Sequence, residues 1–136
     1  MKRILILALF LITAGLSGCE KVEMLKSEKS VEKELEGTWN LIPIPRTNPA
    51  EEWAFRENTI IRSQMLGSVM TPIDTGHYTI RTTLMKSYVK FEDFSLVLDE
   101  LNGEWQIVEL SSNVFVIATD HNGATGIMEL DFSRKD

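Results

Sequence analysis

From Gly37 to Arg134 the sequence alternates apolar and polar residues with a period of two, and this pattern constrains the fold more than any other feature. "GTWNL" sets Trp39 and Leu41 on one face against Thr38 and Asn40. "EWAF" repeats this with Trp53 and Phe55, and "HYTIRTTL" sets Tyr78 and Ile80 against Thr79 and Arg81. "SYVKFEDF" does so with Val89 and Phe91, "EWQIVEL" with Trp105 and Ile107, and "TGIMELDFSR" with Met128, Leu130 and Phe132. Successive side chains of a strand point to opposite faces, so each segment is a strand with one buried face. Turn formers separate the segments: Pro43 and Pro45, Glu57-Asn58, Gly67-Ser68, "DELNG", Ser111-Ser112-Asn113 and "DHNG". "VMTPIDTG", broken by Pro72 and Asp74, reads as irregular. Nothing between the segments has a helical period. The expectation is an all-β fold of about eight short antiparallel strands, closed as a barrel or stacked as a sandwich.

The period changes ahead of Gly37. Glu20 to Glu36 is dominated by charge and reads as a solvated tether that ends in a helical turn. Ser30 is placed to cap that turn, Val31 and Leu35 share a face, and Gly37 stops it. Further upstream, Lys2 and Arg3 precede the apolar run Ile4 to Ile12. That run is too short to cross a bilayer, which takes about 20 residues, and it has the layout of a secretory signal. Leu16-Ser17-Gly18-Cys19 then resembles the lipobox of bacterial lipoprotein signal peptides. The resemblance implies diacylglycerol on the Cys19 thiol, cleavage before Cys19, acylation of the new amino terminus and attachment to a lipid bilayer. The expected layout is a signal peptide at 1–18, a charged tether at 19–34 and a β domain at 35–136. Glu20 after the cysteine, rather than aspartate, points by analogy with enteric bacteria to the outer membrane.

Cys19 is the only cysteine, so its acylation leaves no thiol for a disulfide, a nucleophile or a metal site. Loss of residues 1–18 leaves 12 basic residues against 20 acids, a formal charge of −8. A nucleic-acid partner calls for a basic face, and none is expected here.

The β segments resemble a lipocalin-like barrel of the kind found in small secreted lipoproteins of Bacteroidetes-type bacteria. The similarity lies in the helical turn leading into Gly37-Thr38-Trp39, the succession of strands, and Arg134 just past the last of them. Thr119-Asp120-His121 is similar to the Thr-Asp-Tyr corner of true lipocalins, with histidine replacing tyrosine. The resemblance implies an up-and-down barrel of about eight strands that holds a small ligand or fills itself with side chains. The family's C-terminal helix has no counterpart in the two residues after Arg134.

Polar chemistry is sparse. His77 has the outward parity of its strand, and His121 lies in a turn beside Asp120. Two separate histidines do not make a metal site, and "DHNGATG" lacks the lysine of a phosphate loop. No serine sits in a nucleophile elbow. Neither a cofactor nor an enzymatic activity is expected. Trp39, Trp53, Phe55, Tyr78, Phe91, Trp105 and Phe132 form either the core or the lining of a ligand cavity. Met65, Leu66, Val69 and Met70 are either a lid over a barrel end or more core. Trp39 and Arg134 share inward parity on the first and last strands, so barrel closure sets the guanidinium over the indole. Two functions fit: a membrane-anchored carrier of a small apolar ligand, or a filled barrel acting as an interaction or accessory module of an envelope complex. A hydrolase or isomerase on the same scaffold is a third.

Overall fold

The structure is a computed structural model describing residues 26–43, 48–96, 100–120 and 127–136. One helix, α1 (Glu28–Leu35), precedes eight strands: β1 (Gly37–Leu41), β2 (Glu51–Arg56), β3 (Thr59–Leu66), β4 (Val69–Thr82), β5 (Ser87–Glu92), β6 (Gly103–Leu110), β7 (Val114–Thr119) and β8 (Met128–Arg134). Each strand pairs antiparallel with the next, and β1 pairs with β8, so the sheet closes as an up-and-down barrel. The closing register sets Trp39 opposite Arg134 and Leu41 opposite Phe132. Closure pairs β1 with β8, the two strands that would be free edges in an open sheet.

Local chemistry explains most of the strand ends. Glu57 and Asn58 both take positive φ, the backbone of a two-residue hairpin turn whose twist matches its strands. Gly67 at φ +67° turns β3 into β4. Two readings need correction. The segment around Pro72 and Asp74 is not irregular, because β4 runs through it for 14 residues. Arg62 pairs with Asp74 and Ser63 with Pro72, which leaves Ile73 as the extra residue of a β-bulge. The bulge absorbs the proline, whose missing N–H would break a regular ladder. The helix is capped not by Ser30 but by Ser27, whose hydroxyl accepts the Ser30 N–H at 3.2 Å. Helix α1 therefore takes in the end of the charged segment, and its Val31 and Leu35 are buried.

The inward faces meet in an aromatic core. Trp53 packs against Phe55, Phe91, Phe94 and Phe132 at ring-centre distances of 5.1–6.3 Å. Phe115 joins Trp39, Phe55 and Phe132 at 5.2–5.8 Å. Phe94 and Leu101 enter from the connection between β5 and β6. Phe94 lies over Gly76, where a Cβ would come within 2.9 Å of its ring.

Candidate functional site at the barrel mouth

The two ends of the barrel differ. Helix α1 closes one of them with Val31 and Leu35. The Trp39 indole donates to the Leu35 carbonyl at 2.8 Å, and Cζ of Arg134 stands 4.0 Å from the Trp39 ring centre. The same guanidinium donates to the carbonyls of Glu36 (2.7 Å), Glu34 (2.6 Å) and Ser112 (2.9 Å). It thereby satisfies the helix C-terminus, which a helix cannot do for itself. Gly37 is required beneath it: φ is +126°, and a Cβ would lie 2.5 Å from Arg134 Nη1.

Among the described residues, the opposite end is open. A cavity of about 610 Å³ lies there, with Leu41, Leu101, Met128 and Leu130 among its walls and Trp53 and Arg62 in its lining. That volume is in the range of small-molecule pockets. Beneath it the aromatic core is closed, so the cavity occupies the mouth and not the whole barrel.

The inner end of the cavity carries a built polar group. Arg62 is 4% exposed and Glu51 8%. Glu51 Oε1 accepts from Arg62 Nε at 2.8 Å and from the Trp53 indole at 2.7 Å. Arg62 Nη1 lies 3.7 Å from Asp74 Oδ2, and its Cζ is 5.3 Å from the Trp53 ring centre and 5.6 Å from that of Phe94. Burial alone would raise the Asp74 pKa. Hydrogen bonds from the Leu96 N–H, the Ser95 hydroxyl and the Ser95 and Thr75 N–H groups outweigh it, and hold the carboxyl below the ordinary aspartate value. Asp74 therefore stays ionised at neutral pH and pins the chain after β5 to β4. Asn102 clamps the same loop, accepting the Phe94 N–H at 3.0 Å and donating to the Phe94 carbonyl at 2.9 Å.

Of the aromatics singled out in the sequence, Trp53 reaches the cavity. Trp39, Phe55, Tyr78 and Trp105 are buried below it as core. The proposed lid is also corrected: Met65, Leu66, Val69 and Met70 form the projecting end of the β3–β4 hairpin, with Leu66 and Val69 exposed. They neither cover the mouth nor join the core. His77 is exposed, its Nδ1 3.1 Å from Asp93 Oδ2. Cys19 and His121 lie outside the described residues. Among the described residues, no three His, Cys, Asp or Glu side chains converge as metal ligands.

Glu51, Arg62 and Asp74 were missed, although the sequence carries their signal. Glu51 shares the parity of Trp53 and Phe55, and Arg62 that of Ile60, so both are charges on an inward face. No family model, curated protein or solved structure matches the chain.

Proposed function

We propose that this protein is a lipocalin-like lipoprotein, anchored in the bacterial outer membrane through acylated Cys19, whose barrel mouth holds a small ligand with an apolar body. The observation that carries this is the cavity above a closed aromatic core. Its aliphatic side chains, set among polar ones that include Gln64, Glu129 and Asp131, remove apolar surface from water, and its inner end is held by paired charges and a loop tied down at Asp74. A pocket built before the ligand arrives loses less entropy on binding. The Arg62 group gives a bound molecule's polar end something to meet. Glu51 and Asp74 both face Arg62, Glu51 also holds the Trp53 indole and Asp74 the loop backbone, which suits orientation of a ligand rather than proton transfer, so we assign a carrier and not an enzyme.

A second reading has its own support. Ile42, Leu66, Val69 and Ile127 are exposed apolar residues near the open end, and such patches mark contact surfaces. An accessory module of an envelope complex would use them.

Native mass spectrometry of the protein extracted from its own membrane separates the two. The carrier retains a small molecule of defined mass, lost when Met128→Trp fills the mouth. Protein that brings out no small molecule, and binds no apolar dye saturably, refutes the carrier and favours the accessory module.

A further inference from the structure

The closed end of the barrel carries an apolar tip. The turn from β4 to β5 presents Leu84, 75% exposed, and Met85, 89% exposed. The tip is fixed by its own hydrogen bonds. Thr83 N–H donates to the Lys86 carbonyl at 2.8 Å, and Thr83 Oγ1 accepts the N–H groups of Met85 (3.4 Å) and Lys86 (3.1 Å). With three of its N–H groups satisfied internally, the turn loses less on entering the edge of a bilayer, where water is scarce, and Lys86 beside it can reach back to the headgroups.

The amino-terminal end of the described chain lies at the same place. Lys26 shares a groove of about 810 Å³ with Val31, Leu84, Met85, Val108 and Leu110, and is held there by Glu34 at 2.6 Å. Cys19 precedes Lys26 by seven residues, which span at most roughly 25 Å. Strand β4 alone covers roughly 40 Å between the turn at Val69 and the turn after Thr82. A tether that short, leaving from the closed end, keeps the anchor nearer to that end than to the projecting β3–β4 hairpin at the other.

We propose that the Leu84-Met85 tip and the groove beside Lys26 rest on the lipid bilayer, so that the acyl anchor and the tip together hold the barrel with its mouth turned away from the membrane. The proposal rests on the acylation of Cys19 argued above. Glu109 on the far bank of the groove balances the lysines, so apolar contact and not charge attraction carries the docking. The consequence is functional: ligand exchanges with the aqueous compartment, not directly with the anchoring leaflet.

The test uses the full mature lipoprotein in phosphatidylcholine vesicles. Acylated Cys19 offers no thiol, so Met85→Cys and Val69→Cys each accept one environment-sensitive dye at opposite ends of the barrel. The dye at 85 should shift to the blue on vesicle addition and lose most of its intensity to doxyl-labelled lipid. The dye at 69 should do neither, and Leu84→Asp should abolish the quenching at 85. Equal quenching after Leu84→Asp, quenching at 69 in place of 85, or a blue shift at 85 that doxyl lipid does not touch overturns the proposal. The last result would mean that the chain covers its own groove. Mass spectrometry keeps the two readings apart. Cys19 without acyl mass overturns the anchor and the docking with it, whereas an acylated, vesicle-bound protein with a water-exposed label at 85 overturns the docking alone.

Discussion

Two arginines sit at opposite ends of the barrel and do different work. Arg134 spends its donors on three carbonyls and its flat face on Trp39. Arg134→Ala removes charge-assisted hydrogen bonds and a cation–π contact together, and should cost about 2–4 kcal/mol in urea unfolding. Arg134→Lys should recover only part of this, because an ammonium lacks the planar fork that meets several carbonyls at once. A loss below ~0.5 kcal/mol for the alanine variant would place the residue among ordinary surface positions. Arg62 is enclosed, so replacing it leaves Glu51 and Asp74 buried beside a lost cation. Arg62→Met should destabilise by about 3–5 kcal/mol, and Arg62→Met with Glu51→Gln by less than the sum of the single changes. Additive losses would show that Glu51 and Arg62 are not coupled. Arg134 was legible in the sequence because barrel closure converts the parity of the first and last strands into a contact. Arg62 was less so, because its partners come from β2, β4 and the loop after β5.

At the level of elements, the loop between β5 and β6 is the part most dependent on one side chain. Asp74 holds Ser95 and Leu96 from β4. Its folded pKa is lowered, so the stability it contributes is present above the unfolded value of about 3.9 and is lost as pH falls through the lower folded value. Asp74→Asn should loosen residues 93–96 at neutral pH, seen as faster amide exchange there with the barrel strands still protected. It should also flatten the acid limb of the stability curve below about pH 4. An unchanged acid limb would assign that limb to other carboxylates. The elements themselves were mostly readable: β1, β2, β5, β6 and β8 follow from alternation and turn residues alone. Strand β4 was not, because a bulge at Ile73 hides a continuous strand behind a proline and a change of parity. The start of α1 was missed for a related reason. Ser27 and Ser30 both fit a cap, and only packing against the barrel end decides between them.

Across the whole molecule, the barrel divides into a lower part that is structure and an upper part that is site. Nothing in strand alternation marks that boundary, since Phe55 and Trp53 have the same parity on the same strand, yet one is core and the other also lines the cavity. The boundary is set in three dimensions, by Phe94 and Leu101 filling the interior from a loop and by the Arg62 group lying above them. The division makes a paired prediction. Phe55→Ala removes a ring wedged between Tyr78, Phe91 and Phe115, and should cost about 3–5 kcal/mol. Because the lost volume lies below the mouth, the folded variant should bind an apolar dye with little change in affinity. Met128→Trp adds volume at the upper end of β8, where Met128 is only partly buried and faces the cavity. It should leave unfolding within about 1 kcal/mol of the parent while abolishing saturable dye binding, since little packed core has to move. Trp53 is the reporter for both. Dye binding should quench its emission, and Trp53→Phe should remove the signal that Trp39→Phe and Trp105→Phe retain. Dye that still binds Met128→Trp with parent affinity would place the site elsewhere on the molecule, and loss of binding in folded Phe55→Ala would show that core and mouth are a single unit.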